Sequence, residues 1–504
     1  MASAYIKHIK KNMIWMGILN LIAMIFPFLI RTMMIRYLGS ECLGLNSLCV
    51  SVLYVLNAAE FGMTDAMVYR LYKPIATDDS DEVCRLLGQY RTVYFAIGGI
   101  IFIAGLILSP FLEQMISGDR PKNVNIYVIF LGYLLNSVFS YTPLAYRKLI
   151  LLANQHKDYE AMISSLCLLC TYVLQMVCIV RGNYYAYVIL LSLCSLTVNI
   201  LIYYTTQKKY PQYVCRKKKH DKDQTLRVMG KDMLGVGIYR FRDVSRNAFD
   251  SIIISKMMGL VSVANYQNYY SVLTIPITIR RIFIAAVTPS LGNYIALQER
   301  DNSYLVYKEL LFLQLFVSGW FAICYFCLIQ DFIVIWIGRE YLLSVVTAFL
   351  MALYFYLLGI TDTFKMMRET AGMWNRGKKV AVLEMVGNLL FNVIMGYFWG
   401  IEGVVLATIV TLMFLNIPFE GSIVINKYFR QTGVGHFVIL IKNMVWVTGS
   451  GLIISMLYAV MPDVFIWKFA VKVLACIMIP PFLFVVGMHH TEEFRSVMRR
   501  LKRA

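Results

Sequence analysis

Long apolar stretches recur from one end of this chain to the other, separated by short charged turns. A run of about 18 or more apolar residues with few charges crosses a bilayer as a helix, because hydrocarbon leaves no backbone polar group a partner outside its own segment. Of the 504 residues, 59% are hydrophobic and 15% charged, against about 25% charged in soluble domains. The chain therefore reads as an all-α membrane protein. Fourteen transmembrane helices are expected, centred near Met24, Val55, Gly99, Leu134, Leu169, Leu191, Phe249, Leu273, Phe316, Leu353, Leu390, Thr411, Ile453 and Met478. They leave no length for a separate soluble domain. The opening run MASAYIKHIKKNMIWMGILNLIAMIFPFLI is too long for a signal-peptide core and lacks a small-residue cleavage site, so it reads as a retained first span.

Charge sets the expected orientation. Lys and Arg number 48 and Asp and Glu 29, a net charge of +19. The basic residues gather in the loops on the N-terminal side: Lys7, Lys10 and Lys11, then Arg147, Lys148 and Lys157, then the run from Gln207 to Lys231, then Arg495 to Arg503. The other loops are short and nearly neutral. By the positive-inside rule both termini are expected to be cytoplasmic. Basic runs lying between spans serve topology and contact anionic membrane lipid, so nucleic acid is excluded as a partner.

Several motifs reduce to packing. LCLLCT (Cys167, Cys170) and ICYFCL (Cys324, Cys327) have the spacing of metal or redox motifs but lie mid-span, where cysteine behaves as a small hydrophobe. No metal constellation is expected. No phosphate-binding Walker loop occurs, and no nucleophile–base motif or outer-face acid supports an enzyme such as a membrane glycosyltransferase. No cofactor is expected beyond a proton or sodium gradient.

The chain repeats itself. At an offset of 221, Arg147 falls on Arg368, Asn154 on Asn375, Lys157 on Lys378 and Gly182 on Gly403. At 220, Arg36 falls on Lys256 and Gly39 on Gly259. The expected division is an N-terminal six-helix lobe (1–206), a basic linker (207–231), a second six-helix lobe (232–430), two additional spans (431–488) and a basic tail (489–504). Six spans per half give parallel repeats related by a pseudo-two-fold axis along the membrane normal, around a central cavity.

Charges inside the spans mark candidate function. In YRFRDVSRNAFDSIIISKMMGL, the residues Arg242, Arg246 and Asp250 are spaced i, i+4, i+8 and share one helix face. A charge at mid-bilayer costs about 2.5–3.5 kcal/mol on insertion scales, so it turns toward a bundle interior or a wet cavity. An internal Arg246–Asp250 pair that only joins helices is the plainer alternative. In span two Asn57, Glu60 and Thr64 share a face, with Asp65 beside them, and Glu60 falls on Arg280 of span eight at an offset of 220. Arg31 lies in span one, with Arg36 an interfacial anchor. Pro27, Pro276 and Pro289 sit where a kink would let helices rock, and Tyr266, Tyr269 and Tyr270 suit an interfacial belt. A cavity partly lined with arginine favours an anionic solute, since guanidinium forks match phosphate oxygens. Glu60, Asp65 and Asp250 are ion-coupling candidates.

The outer turn YLGSECLGLNSL, the run AAEFGMTDAMVYRLYKP and the run RNAFDSIIISKMMG resemble the polysaccharide-transport flippases of the multidrug/oligosaccharidyl-lipid/polysaccharide exporter superfamily. The resemblance implies two six-helix lobes moving by alternating access. It implies a monomer that flips an undecaprenyl-diphosphate-linked oligosaccharide from the cytoplasmic to the outer leaflet, alongside polysaccharide-assembly proteins. It also implies substrate-binding cations at Arg31, Arg246 and Arg280, with Arg242 and Arg281 next. Span two departs from the family pattern, because its mid-membrane charges are acidic. The last two spans resemble those that form a lipid-tail groove in lipid II flippases; a structural role is equally open. A cation-coupled multidrug exporter and a lipid II flippase of the same superfamily are the alternatives.

Overall fold

The computed structural model describes residues 25–60, 63–121, 124–142, 144–154, 156–213, 223–297, 300–373, 376–432, 434–460 and 465–501. These residues form helices and turns, with no strand among them. Nine helices are long and apolar enough to cross a membrane among the described residues. Every expected span centre except Met24, which lies outside the described residues, falls within a helix.

The chain divides into two compact units, Met1–Ala264 and Asn265–Ala504. The first unit opens with α1 (25–38), α2 (Ser40–Leu56) and α3 (Met63–Ala76). It continues through α4 (Ser80–Leu108), α5 (Ile126–Phe139), the short α6 (Lys148–Ala153), α7 (Lys157–Val180) and α8 (Tyr184–Lys209). It ends with α9 (Asp223–Met258) and the start of α10 (Leu260–Leu297). By packing, then, the charged helix α9 lies with the first unit, along α2 and the turn at Asn57–Glu60. The second unit takes the rest of α10, then α11 (Arg300–Trp336), α12 (Val345–Thr370) and α13 (Lys378–Thr411). After α13 come α14 (Ile417–Gly421), a π-helical stretch over Ser422–Phe429, α15 (Val434–Val460), α16 (Phe465–Met488) and α17 (Glu492–Leu501).

Local chemistry accounts for the breaks. Gly39 (φ +92°) and Gly259 (φ +86°) stand between α1 and α2 and between α9 and α10, in a backbone region open mainly to glycine. Asn125, Asn183, Asp79 and Ser344 cap α5, α8, α4 and α12 by accepting from backbone N–H groups of the first turn, groups that would otherwise lack a partner. Gly400 (φ 60°, ψ −136°) breaks α13, which separates the expected span at Leu390 from that at Thr411.

The repeat offset has structural counterparts. Gly39 and Gly259 are 220 residues apart and so are Gly118 (φ +75°) and Gly338 (φ +117°). Lys157 and Lys378 each open a helix, and Arg147 and Arg368 are both buried. The pairing of Gly182 with Gly403 fails: Gly182 has φ +68° in a turn, whereas Gly403 is a helical residue whose missing side chain lets the backbone of Met395 approach. Asn375 lies outside the described residues. Two of the three tyrosines expected to form a belt at the start of span eight pack into the protein. Tyr266 and Tyr269 are buried, and the Tyr269 hydroxyl donates to Gln330 at 3.0 Å and accepts from the Leu343 N–H at 3.1 Å. A phenol that finds two partners in the protein has no need of the interface.

Candidate functional site

In the first unit the candidate polar site is built on a helix break. α2 loses its α-helical pattern at Leu56, and a 3-10 turn covers Asn57–Glu60 before α3 resumes. The equivalent residues of α10 stay helical through Pro276 and Arg280. Glu60 at the break accepts a hydrogen bond from Thr64 Oγ1 at 3.0 Å and one from the Tyr141 hydroxyl. Thr64 Oγ1 also meets the Tyr94 hydroxyl at 3.2 Å, and Lys148 Nζ lies 5.7 Å from the centre of the Tyr94 ring. Asn57 turns aside to donate to Ser137 Oγ at 3.2 Å. The carboxylate is thus held in a small polar cluster of two phenols, a hydroxyl and a nearby ammonium. The side chain of Asp65 lies outside the described residues.

The face predicted on α9 is real and turned inward. Arg242, Arg246 and Asp250 are 5%, 7% and 3% exposed. Arg242 pairs with Asp243, its Nη2 lying 2.8 Å from Oδ1. Arg31, on α1, is half-buried, whereas Arg36 is exposed. The C-terminal end of α9 is pinned by Ser117, whose N–H donates to the Ser255 carbonyl at 3.1 Å and whose hydroxyl donates to the Lys256 carbonyl.

In the second unit Arg280 is 1% exposed. Its Nη2 lies 2.8 Å from Asp362 Oδ2 on α12, its Nη1 donates to the Phe355 carbonyl at 3.0 Å, and its guanidinium sits 4.9 Å from the centre of the Phe355 ring. Nε finds no partner among the described residues, so this buried cation has a donor to spare. Arg281 is exposed and shares none of this. The Arg280–Asp362 pair stands at the repeat position of Glu60–Tyr141, offset by 220 and 221 residues. A polar contact thus stands at the same repeat position in each unit, once through a carboxylate and a phenol and once through an ion pair.

Sequence reasoning missed Asp362, which the repeat points to only once the Tyr141 contact is known. It also missed a polar ladder on α13. Glu384, Asn388 and Asn392 are buried at i, i+4, i+8, the same spacing that drew attention to α9. Asn416 Nδ2 donates to Glu384 at 2.6 Å and Asn388 Nδ2 to Thr408 Oγ1 at 3.0 Å. Below the ladder Arg368 and Glu420 form a buried pair at 3.0 Å.

The motif ICYFCL gains a third member. Cys324 donates to the Cys476 carbonyl at 3.5 Å, and Trp320 Nε1 donates to the same carbonyl at 2.9 Å. With the Lys472–Asp331 pair at 2.8 Å, these contacts fasten α16 to α11. Among the described residues no three His, Cys, Asp or Glu side chains are arranged to hold a metal ion.

Comparison with known proteins agrees with this architecture. The chain is similar in fold to a structure described as lipid II flippase MurJ in an inward closed conformation, with a TM-score of 0.70 and 13% identity over 96% of this chain and 100% of that one. It is similar to an inward-facing multidrug resistance MATE family transporter of the MOP superfamily, with a TM-score of 0.62 and 14% identity over 81% and 96% of the two chains. A MATE structure in the bent conformation gives 0.51 and 15% identity over 82% and 94%. No curated protein sequence matches the chain. The family model for polysaccharide biosynthesis proteins matches residues 9–294. That match takes in the Glu60 cluster, the α9 face and Arg280, and covers more than half of the sequence, so the chain belongs to the polysaccharide biosynthesis protein family and has the fold of the MOP-superfamily transporters.

Proposed function

We propose that this protein is a flippase for a polyprenyl-diphosphate-linked oligosaccharide, carrying undecaprenyl-diphosphate-linked repeat units from the cytoplasmic to the outer leaflet by alternating access. Its site is a bacterial inner membrane with both termini cytoplasmic, as the loop charges imply. The observation that carries the reading is Arg280: a cation buried in a membrane helix, held by Asp362, with a guanidinium N–H still unfilled. A buried guanidinium with a spare donor gains from one more acceptor oxygen. Asp362, with its side chain 26% exposed, then acts as a stand-in anion that a diphosphate displaces. Arg242, Arg246 and Arg31 supply further intramembrane cations. A buried guanidinium such as that of Arg280 repels the cationic drugs that a multidrug exporter would carry. Lipid II shares the diphosphate and differs in the sugar, so competition between the two cargoes separates those readings.

Glu60 is the proposed coupling group. It is a membrane carboxylate that accepts from the Thr64 and Tyr141 hydroxyls. An exchange of its charge for a bound proton or sodium ion changes two hydrogen bonds, of which the one from Tyr141 joins two spans.

The test is reconstitution in liposomes with a fluorescently labelled undecaprenyl-diphosphate sugar, following its loss from one leaflet. The expected result is protein-dependent loss that Arg280→Gln slows. Equal movement with and without protein would refute the reading.

A further inference from the structure

We propose that α17 is an interfacial helix that binds the headgroups of anionic phospholipid, with Arg495 and Arg499 as the contacting cations. Chain connectivity places it at the bilayer surface. The apolar helix α16 ends at Met488 and α17 begins at Glu492, a gap that reaches about 14 Å even when fully extended. The turn between them is fixed. The Thr491 N–H donates to the Met488 carbonyl at 2.9 Å, and Thr491 Oγ1 accepts from the Phe494 N–H at 3.4 Å, which caps α17. The loop charges assign this end to the cytoplasm, where the leaflet carries anionic lipid.

The helix sorts its residues by face. Glu493, Ser496 and Arg500, at i, i+3 and i+7, meet α11. Ser496 Oγ donates to Glu309 Oε1 at 2.5 Å, Arg500 Nε lies 2.8 Å from Glu309 Oε2, and Lys308 reaches Glu493 at 3.8 Å. Glu309 is 7% exposed, so α17 supplies both oxygens of a buried carboxylate with partners. Phe494 and Met498, at i and i+4, share an apolar face next to the buried Val497, and Met498 is 40% exposed. One residue further on, Arg495 and Arg499 border that face and are exposed.

Charge complementarity names the partner. A cavity of about 400 Å³ between α11 and α17 is lined by Arg495 and Arg499 and also by Glu309, Glu492 and Glu493. Arg500 answers Glu309 and Lys308 answers Glu493, and Glu492 stands in the first turn, where the helix dipole favours an acid. Neither Arg495 nor Arg499 pairs with a carboxylate among the described residues; Arg499 Nε meets only the Arg495 carbonyl, at 3.3 Å. An amphipathic helix of this kind at a membrane surface sinks its apolar face to the acyl boundary and sets its flanking cations among the phosphates. Guanidinium forks match phosphate oxygens, and lipid with net negative charge attracts them more than zwitterionic lipid does. Glu309 thus clasps one edge of α17 and lipid holds the other. The assignment is independent of what the protein transports.

The full-length protein is placed in nanodiscs of phosphatidylcholine alone or of phosphatidylcholine with phosphatidylglycerol, and hydrogen exchange of the α17 amides is followed by mass spectrometry. Phosphatidylglycerol should slow exchange in α17 by about fivefold for each arginine engaged, and added salt should remove the effect. Arg495→Gln with Arg499→Gln should exchange as wild type does in phosphatidylcholine and lose the response to phosphatidylglycerol, while Arg495→Lys with Arg499→Lys should keep it. Glu309→Gln separates the clasp from the lipid contact: exchange should quicken in phosphatidylcholine and still slow when phosphatidylglycerol is added. Equal exchange of wild-type α17 in the two lipids overturns the site and leaves the helix held by its apolar face and Glu309 alone. The same slowing in the neutral double variant as in wild type overturns the assignment of the two arginines.

Discussion

Arg280 is affordable in its surroundings only because Asp362 answers it. Removing one partner of a buried ion pair leaves the other charge uncompensated, at a cost of about 3–5 kcal/mol. Asp362→Ala should therefore lower the unfolding midpoint of the detergent-solubilised protein by that order. Asp362→Asn keeps an acceptor oxygen for the guanidinium and should cost clearly less. Equal losses for the two variants would mean that side-chain size, not charge, matters there. Glu60 calls for a functional readout. Glu60→Gln preserves an acceptor for Thr64 and Tyr141 and removes the exchangeable charge. It should leave folding intact and make transport insensitive to an imposed proton or sodium gradient. If the variant responds to the gradient as wild type does, Glu60 is a structural residue. At this scale the sequence was half legible. Charge inside an apolar run is conspicuous, so Arg280, Glu60 and the α9 face stood out. Their partners did not: Asp362 is itself a charge in the apolar helix α12 and was passed over, and Asp362 and Tyr141 lie about 80 residues from the groups they meet, so only the folded contact joins them.

Elements are set by where the backbone may not continue. Gly44 on α2 lets the backbone at Leu260 come into direct contact, and a Cβ there would collide with the Leu260 carbonyl. Backbone cannot move aside as a side chain can, so Gly44→Val should cost about 1–3 kcal/mol by overpacking, read as a lower unfolding midpoint. Gly99, around which a Cβ meets nothing within 4 Å, is the control, and Gly99→Ala should be nearly neutral. An equal shift for the two would dismiss the close approach of α2 to the start of α10. Helix periodicity and hydropathy revealed the spans, since burial in lipid demands a continuous apolar run. They did not reveal the 3-10 break at Asn57–Glu60. That segment carries no proline, whereas α10, which does carry Pro276, continues as helix. The break follows from tertiary contacts that bring Glu60 to Tyr141, and those override the local preference for helix. The thiol contacts of α16 with α11 were hidden for the same reason: the two cysteines of ICYFCL read as lipid-span hydrophobes until Cys476, on a helix far along the chain, came beside them.

For the whole molecule, nearly constant offsets of 220 and 221 residues link separated segments, and the glycines at 39 and 259 and at 118 and 338 share positive φ at the first of them. At the matching position of the offset the first unit carries a carboxylate, Glu60, and the second a guanidinium, Arg280. A transporter needs such a difference if one half is to hold an ion and the other an anionic headgroup. The most direct measurement is leaflet-resolved movement of a labelled undecaprenyl-diphosphate oligosaccharide in liposomes containing wild-type protein, Arg280→Gln or Arg281→Gln. Loss of one charge-assisted contact to phosphate should slow Arg280→Gln by about tenfold or more, with Arg281→Gln close to wild type. Wild-type movement in Arg280→Gln, from protein that is folded and correctly inserted, would contradict the assignment of Arg280 to the headgroup.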